Sequence, residues 1–366
     1  MRFSVAREKL VRPITLATSV VEKKQTKPIL ANVLVALKDG QLSFTGTDME
    51  IEVVVRSSAV DGQDGAVTLP GKKLFDICRA LPDDAQIDLT VDNDRAILRS
   101  GRSRFVLSTL PVHDFPNVQD IAEIASVELP QNVLRKCLEK TQFAMAQQDV
   151  RFYLNGLLLE LAGGYLRTVA TDGHRLALCD HKIRSNIKEN QQVIVPRKGV
   201  SELFRLLEDS DKPVSITVAT NHIRVLTEDV TFTTKLVDGR FPDYQRVIPQ
   251  GGDKEILVDR DALRQAVNRA SILSNERYRS LRVVLNPGSI KVIANNPENE
   301  EAEEEVPVSY DGEKLEVGFN ATYLGDALNA ITEPTVLLTL SDPNSCALLQ
   351  GEGNSSAKFV VMPMRI

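Results

Sequence analysis

Five consecutive residues, Thr171-Asp172-Gly173-His174-Arg175, combine side chains that can carry out acid–base chemistry or bind a metal ion. Asp172 and His174 are two positions apart, and on a β-strand this spacing directs both side chains to the same face. A carboxylate next to an imidazole can exchange a proton with a substrate, or the pair can provide two metal ligands. The segment therefore supports one hypothesis, that the chain is an enzyme.

Other features of the sequence argue against catalysis. The remaining histidines share no metal-ligand spacing with His174: His113, His181 and His222. The sequence contains no phosphate-binding P-loop, no G-x-G-x-x-G fingerprint and no G-x-S-x-G nucleophile elbow. The Thr-Asp pair also occurs at Thr47-Asp48, which indicates a structural role. We predict no catalytic residue, no metal site and no cofactor.

The elements around this segment occur three times along the chain. Turn dipeptides lie at equal intervals between β-rich segments, which is typical of hairpins: Asp39-Gly40, Gly163-Gly164 and Pro287-Gly288. Each hairpin is followed by a helix with an apolar stripe, formed by Leu74, Ile77, Cys78 and Leu81, by Val200, Leu203, Phe204 and Leu207, and by Leu324, Ala327, Leu328 and Ile331. The third of these helices begins at Asn320, a residue suited to a helix start.

Each third of the chain also opens with a helix of its own. One face of each helix carries a repeated set of residues: Leu10, Ile14 and Ala17, then Leu134, Leu138 and Thr141, then Leu263, Val267 and Ala270. Polar connections near 117–127 and 249–255 separate the thirds. The sequence therefore predicts an α+β fold of three tandem domains, 1–122, 123–250 and 251–366, each with two helices and hairpin-rich strands.

The composition is that of a globular protein, with 42% hydrophobic and 26% charged residues. The N-terminus lacks the apolar region of a signal peptide, and no apolar run approaches membrane-spanning length. The four cysteines are scattered without a C-x-x-C motif, which favours a reducing compartment and hence the cytoplasm. The net charge of −6 argues against a general nucleic-acid binder.

The predicted helices differ in charge from the chain as a whole. Five of the six are net basic, which indicates a surface facing the phosphates of a polyanion. Acidic residues concentrate instead at 298–305 in the last third, whereas arginines concentrate at 95–104 in the first third. Opposite charges at opposite ends of a linear array predict a head-to-tail contact between two chains. Such a contact could close a ring or extend a filament.

Nine segments carry a family resemblance: FTGTDME, RSGRSRFVLSTLP, QDVRFYLNG, TVATDGHRLA, VIVPRKGV, KLVDGRFPDYQRV, ILSNE, ANNPENEEAEEE and VVMPMRI. They resemble the bacterial β sliding clamps, the processivity subunits of DNA polymerase III, over essentially all 366 residues. The resemblance implies three clamp domains with helices inside and antiparallel sheets outside, closed as a homodimeric ring around duplex DNA. It implies no intrinsic catalysis, and it implies polymerases and an ATP-dependent clamp loader as partners that bind through short peptide motifs.

The resemblance also implies three sets of site residues. The pocket for partner peptides would comprise Arg151, Leu154, Thr171, Gly173, His174, Arg175, Leu176, Pro242, Arg246, Val247, Asn320, Tyr323, Val360, Val361, Met362, Pro363, Met364 and Arg365. DNA would be bound by Lys24, Lys72, Arg79, Gln148, Phe152, Tyr153, Arg197 and Lys198. The dimer interface would bring Lys73, Arg95, Arg102, Arg104, Phe105 and Leu107 against Ile272, Leu273, Glu298, Glu300, Glu301, Glu303 and Glu304. Phe152 departs from the tyrosine of the family, so one hydroxyl contact to DNA is lost.

Overall fold

A computed structural model of the chain describes residues 1–21, 27–57, 60–116, 118, 122–184, 187 and 189–365. Within these ranges the chain forms six α-helices: α1 (Glu8–Thr18), α2 (Gly71–Ala80), α3 (Gln131–Thr141), α4 (Arg197–Leu206), α5 (Arg260–Ser271) and α6 (Ala321–Ala330). The prediction of two helices in each third is therefore confirmed. None of these described helices has the length and apolar character needed to span a lipid bilayer.

The strands are short and follow one another through tight turns. In chain order they are β1 (Arg2–Ala6), β2 (Asn32–Lys38), β3 (Gln41–Thr47), β4 (Ile51–Arg56), β5 (Gly62–Gln63), β6 (Gly65–Pro70), β7 (Gln86–Asp92), β8 (Arg95–Ser100), β9 (Ser103–Ser108), β10 (Glu123–Pro130), β11 (Gly156–Ala162), β12 (Tyr165–Thr171), β13 (Arg175–Lys182), β14 (Gln191–Pro196), β15 (Pro213–Ala219), β16 (His222–Leu226), β17 (Val230–Lys235), β18 (Lys254–Asp259), β19 (Ser280–Asn286), β20 (Ser289–Asn295), β21 (Glu301–Ser309), β22 (Leu315–Asn320), β23 (Thr335–Leu340), β24 (Ala347–Gly351) and β25 (Asn354–Val361). Single 3-10 turns lie in the connections: Pro28–Ala31, Val112–Asp114, Gln142–Ala144, Phe152–Leu154 and Tyr244–Arg246.

The chain divides into two compact units, and the first comprises Met1–Asn132 with Ser201–Leu236. It holds a five-stranded antiparallel sheet in the order β5-β1-β7-β8-β9 and an eight-stranded one in the order β10-β15-β16-β17-β4-β3-β2-β6. Helices α1 and α2 pack on each other, and α1 also packs on β3 and β4. The predicted stripe of α1 is buried, with Ile14 and Ala17 both at 0% exposure, so the core lies between helices and sheet.

The second unit comprises Val133–Val200 with Val237–Ile366 and is built on one twelve-stranded antiparallel sheet. Its order is β14-β11-β12-β13-β25-β24-β23-β18-β21-β20-β19-β22. Helices α5 and α6 pack on each other, and α5 packs on β20 and β21. The main chain of β13 pairs with that of β25 from Arg175↔Val361 to Cys179↔Ala357, which joins strands of the second and third sequence repeats.

The three predicted hairpin turns have the same two-residue length. The strand pairs close at Lys38↔Gln41, Ala162↔Tyr165 and Asn286↔Ser289. Asp39 and Gly40 both have positive φ, 51° and 76°, which is the backbone of the turn that matches strand twist and that Asp-Gly adopts readily. The prediction of three hairpins in one register is confirmed.

A second equivalence links the two helices of each repeat. A long polar side chain at the start of the first helix bonds a main-chain atom at the C-terminal end of the second helix. Main-chain groups at a helix end lack partners within the helix. The contacts join Arg7 Nε to Cys78 O (2.7 Å), Gln131 Oε1 to Glu208 N (3.0 Å) and Arg260 Nη1 to Ile331 O (2.9 Å). The repeats therefore share tertiary contacts as well as a pattern of elements.

Candidate functional site

The segment Thr171–Arg175 forms the turn between β12 and β13 and fixes its own shape. The Thr171 hydroxyl donates to Arg175 O at 2.6 Å and accepts from Gly173 N at 3.1 Å. Asp172 Oδ1 accepts from His174 N and Arg175 N at 2.9 and 3.0 Å. A carboxylate that accepts from two main-chain amides, next to a hydroxyl that bonds one main-chain amide and one main-chain carbonyl, is a turn-forming arrangement.

The first repeat contains the same turn, between β3 and β4. The Thr47 hydroxyl donates to Ile51 O at 2.8 Å, and Asp48 Oδ1 accepts from Ile51 N at 2.7 Å. The prediction that the Thr-Asp pair is structural is confirmed by this equivalence. It also removes the argument for an acid–base pair in the second repeat.

Asp172 and His174 do not lie on a strand, so the expectation that they face the same side of a sheet is wrong. Both occupy the turn, where the alternation of strand side chains does not apply. The second carboxylate oxygen of Asp172 accepts from Arg175 Nε at 3.0 Å, and the His174 ring stacks on Tyr323 with centroids 6.4 Å apart. Across the part of the chain that the structure describes, no three His, Cys, Asp or Glu side chains group closely enough to hold a metal ion.

Beside this turn lies a partly open cavity of about 160 Å³ in the second unit. Four stretches of chain provide its lining: the 3-10 turn at 152–154, the turn at 171–175, the connection after β17 and the end of β25. The lining residues are Arg151, Tyr153, Leu154, Thr171, Gly173, Arg175, Leu176, Pro242, Tyr244, Val247, Val360 and Met362. The structure thus brings together residues that are far apart in the sequence.

The floor of the cavity is apolar and firmly packed. Leu154 and Leu176 are each 2% exposed and Val360 is 1% exposed. Met362 and Val247 are half-buried at its sides, and Met362 N donates to His174 O at 2.9 Å, which ties the chain end to the turn. An apolar floor with an unbranched methionine at its edge suits an apolar anchor side chain of variable shape.

A guanidinium group stands at the rim of the cavity. Arg151 is held by Asp149 through Nε–Oδ1 at 3.0 Å and Nη2–Oδ2 at 2.8 Å, and it also donates to Asp172 O at 3.3 Å. The hydrogen bonds from Arg151 lower the pKa of Asp149 to about 2. Gly173 has φ +90°, and a Cβ there would lie 3.0 Å from the Arg151 guanidinium, so glycine serves both the turn and the approach of Arg151.

Arg175 has a different position from Arg151, because its guanidinium is enclosed. Its side chain is 12% exposed and donates to Asp326 Oδ2 at 2.5 Å and Phe143 O at 2.8 Å, besides Asp172. The group also lies over the Tyr323 ring, 4.6 Å from its centroid. Three acceptors and an aromatic face use most of the donors of a guanidinium, so Arg175 supports the cavity wall.

Several residues predicted for the pocket do not line the cavity: His174, Arg246, Asn320, Tyr323, Val361, Pro363, Met364 and Arg365. Asn320 caps α6 by accepting from Thr322 N and Tyr323 N, which confirms the predicted helix start. Met364 N donates to Gly318 O at 2.8 Å and so fixes the chain end to β22. Arg246 is exposed and pairs with Asp243 at 2.8 Å. These residues surround the site or support it.

Two lining residues were absent from the predicted pocket. Tyr244 is 5% exposed and lies in the apolar cluster below the cavity, and Tyr153, predicted as a DNA contact, packs against the same cluster. An aromatic residue within the polar connection FPDYQR was the available signal for Tyr244. Its neighbours come from distant strands, so the sequence alone could not place it.

The residues predicted to bind DNA lie in three places. Lys72 and Arg79 are exposed on α2 in the first unit. In the second unit, Gln148 and Phe152 are exposed, while Arg197 and Lys198 at the start of α4 are half-buried. Arg197 Nη1 donates to Met145 O at 2.9 Å, and burial, with Arg175 nearby, lowers its pKa. Lys24 lies outside the described residues.

The predicted basic side of the dimer interface lies on β8, β9 and α2 of the first unit. Strand β9 is an edge strand of the five-stranded sheet, and Arg95, Arg102 and Arg104 are exposed. Phe105 is half-buried, but Leu107 is 6% exposed and belongs to the core. Lys73 is exposed on α2.

The predicted acidic side lies on β21 and the preceding turn of the second unit. Glu304 pairs with Arg269 of α5 at 2.6 Å and Glu303 with Lys291 at 2.5 Å. Glu298, Glu300 and Glu301 are exposed, as is Ile272 at 75%, whereas Leu273 is half-buried. Part of this acidic surface is therefore neutralised by basic residues of the same chain.

Three repeats, each with two helices and antiparallel strands and with basic residues on the helices, define the class of DNA clamps. Comparison with known proteins agrees over the whole chain. Models of the N-terminal, central and C-terminal domains of the DNA polymerase III beta subunit match residues 1–119, 128–243 and 245–365. The chain belongs to the DNA polymerase III beta subunit family.

Individual relatives are similar over their full length. The chain is 53% identical to a beta sliding clamp of Pseudomonas putida and 48% identical to that of Escherichia coli, with 100% of each chain covered. A solved sliding clamp of Pseudomonas aeruginosa bound to griselimycin is 51% identical, with a TM-score of 0.98 and 100% of both chains covered. The chain is thus a DNA sliding clamp, a non-catalytic processivity factor of DNA polymerase III.

Proposed function

We propose that two copies of this chain close head to tail into a ring around duplex DNA and tether polymerases through the cavity beside Thr171–Arg175. The ring is opened and loaded by an ATP-dependent clamp loader, and nucleotidyl transfer is carried out by the polymerase subunits. The three repeats act as domains over 1–122, 123–250 and 251–366. The four cysteines are free thiols, which supports a cytoplasmic location.

The dimer contact is supported by two strand edges of opposite charge. Strand β9 ends its sheet and carries Arg104, while Arg102 lies in the turn just before it. In β21, Glu301–Pro307 pair with β20 on one side, and within the described residues β18 meets the other side only at Val308 and Ser309. An unpaired strand edge readily accepts another strand, and opposite charges select the partner edge.

DNA binding is supported by exposed basic residues on helices of a chain whose net charge is −6. Lys72 and Arg79 supply positive charge without an arrangement that could read bases. Contacts of this kind are weak and interchangeable along the duplex, so they permit sliding. A net acidic body discourages attachment of other surfaces to DNA.

Peptide binding rests on one observation, the cavity of about 160 Å³ with an apolar floor and Arg151 at its rim. The floor suits a Leu or Phe anchor, and the guanidinium suits a carboxylate or carbonyl of the same peptide. A relative 51% identical to this chain is described as bound to griselimycin. We expect griselimycin to occupy this cavity and to compete with peptides that carry a Leu or Phe anchor.

Retention on DNA of defined topology tests the ring. An enclosing ring is held by linkage, whereas a protein that binds one face of DNA depends on phosphate contacts that salt weakens steeply. After loading with ATP and the clamp loader, the protein should persist on nicked circular DNA at salt that abolishes simple binding. Cutting the circle once should release it, and blocking both ends with bulky proteins should restore retention. Equal release rates from linear and circular DNA would exclude this function.

A further inference from the structure

The connection from Phe241 to Ile248 carries three residues of the cavity wall: Pro242, Tyr244 and Val247. Phe241 and Ile248, at its two ends, are buried in the apolar cluster below the cavity. The middle of the connection is a single 3-10 turn, Tyr244–Arg246, closed by Val247 N donating to Tyr244 O at 3.1 Å. The position of this turn decides where one side of the cavity lies.

A row of polar residues crosses the sheet under this turn. Direct cross-strand pairing places Gln192 opposite Glu160, Glu160 opposite Arg167, and Arg167 opposite Asp180. Directly paired residues point to the same face of a sheet, so the four side chains form one line across β14, β11, β12 and β13. The pattern of these strands places Leu158, Val169 and Leu178, which belong to the apolar cluster, on the same face two positions away.

Tyr244 is bonded to the centre of this row. Its hydroxyl donates to Glu160 Oε2 at 2.8 Å and accepts from Arg167 Nη1 at 2.8 Å. The Arg167 guanidinium also lies over the Tyr244 ring, 5.8 Å from its centroid. A hydroxyl that bonds a carboxylate and a guanidinium together has a defined direction, because both contacts are charge-assisted.

The charged partners of Tyr244 are themselves fixed. Glu160 is 2% exposed and accepts from Asn190 Nδ2 at 2.6 Å and Gln192 Nε2 at 3.2 Å. Burial raises the pKa of Glu160, but the hydrogen bonds from Asn190, Tyr244 and Gln192 outweigh burial and lower it. Asp180 holds Arg167 through both carboxylate oxygens. Neither partner can turn to follow a displaced phenol without breaking other bonds.

From this geometry we infer that Tyr244 is a positioning residue for the peptide cavity. Its hydroxyl ties the Phe241–Ile248 connection to Glu160 and Arg167 and so holds the cavity in a shape that can bind peptide. The inference rests on the proposed peptide-binding function of the cavity. The apolar ends of the connection keep it folded onto the sheet, but apolar contacts do not set direction. The phenol supplies that direction, so its loss leaves the connection attached but able to shift.

Tyr244→Phe removes the hydroxyl and retains the ring in the cavity wall. The matched control is Tyr310→Phe, which removes a hydroxyl bonded to Glu313 O at 2.8 Å in the same unit and away from the cavity. The probes are griselimycin and a fluorescein-labelled hexapeptide ending in Leu-Phe, with affinity measured by fluorescence anisotropy. We expect about tenfold weaker binding for Tyr244→Phe and unchanged binding for Tyr310→Phe, from the loss of hydrogen bonds to charged groups.

Amide hydrogen exchange provides a readout that general destabilisation would not reproduce. In Tyr244→Phe, exchange should accelerate in the peptide spanning 241–248 and remain unchanged in strands β11 and β12. A double-mutant cycle should show coupling between Tyr244→Phe and Val247→Ala, on the same connection, and additivity between Tyr244→Phe and Met362→Ala.

The outcomes separate the inference from the function on which it rests. Failure of the wild-type protein to bind either probe overturns the peptide-binding function, whatever the exchange data show. Wild-type binding together with equal affinity and equal exchange in Tyr244→Phe overturns the positioning role. Equal weakening by Tyr244→Phe and Tyr310→Phe also overturns it, because the effect would then be one of overall stability.

Discussion

Replacing Asp326 with Ala tests whether Arg175 acts as a structural support of the cavity. The substitution removes the acceptor of Arg175 Nη1, a bond of 2.5 Å, while Asp172 and Phe143 O still accept from the other nitrogens. A hydrogen bond between charged groups contributes about 1.5–3 kcal/mol when it is shielded from water. The Asp326 side chain is 34% exposed, so water replaces part of the lost bond and we expect about 1–2 kcal/mol of destabilisation.

Differential scanning calorimetry of the full chain measures this effect. For a unit of this size, each kcal/mol lowers the melting temperature by about 2–4 °C, so Asp326→Ala should melt about 2–8 °C lower. Asp326→Asn keeps an uncharged acceptor oxygen and should recover about half of the loss, because bonds to neutral groups are about half as strong.

An exposed ion pair of similar length serves as the control. Arg246 and Asp243 are 2.8 Å apart, but their side chains are 85% and 56% exposed. Asp243→Ala should therefore change stability by less than about 0.5 kcal/mol. If Asp326→Ala has the melting temperature of the wild-type protein, or if Asp326→Ala and Asp243→Ala lower stability equally, enclosure of Arg175 does not stabilise this unit.

Three further predictions concern the interface, the cavity and pH. Leu273→Asp should shift sedimentation towards monomer more than Glu304→Lys does. The first removes apolar contact area from the predicted interface, whereas an exposed ion pair contributes only about 0–1 kcal/mol. An intact dimer in both variants would exclude this interface. Deleting Met362–Ile366 should abolish griselimycin binding in calorimetry and leave the dimer intact, and unchanged affinity would exclude the cavity as the site. The difference in melting temperature between wild type and Glu160→Gln should stay constant from pH 8 to 6 and shrink below pH 4.5. A carboxylate whose pKa is lowered by folding loses its contribution to stability as pH falls through its pKa in the folded protein. A constant difference at low pH would contradict a lowered pKa for Glu160.

The local parts of the fold were predictable because local residues determine them. The hairpin turns follow from Asp-Gly, Gly-Gly and Pro-Gly pairs, and Asn320 begins α6 because its side chain can accept the first free amides. The Thr-Asp turn could also be identified, since its hydrogen bonds run within five residues. The error about Asp172 and His174 came from extending a strand pattern into that turn.

The partners of the site residues could not be predicted in the same way. Arg175 bonds Asp326 of the last repeat, and Tyr244 bonds Glu160 of an earlier strand. Such pairs depend on how strands from different repeats come together, which no local pattern specifies. Charge pattern alone also overstated the acidic surface, because Arg269 of the same chain neutralises Glu304.

The pairing of strands between sequence repeats has a consequence for anyone who dissects this protein. Strand β4 of the first repeat pairs with β17 of the second from Val55↔Val230 to Ile51↔Thr234, and these bonds are formed by the main chain. A fragment cut at residue 122 would therefore carry β4 as a bare, apolar strand edge in solution. Such edges recruit any available strand, so isolated repeats should self-associate, and truncation at sequence boundaries is a poor route to a monomeric fragment.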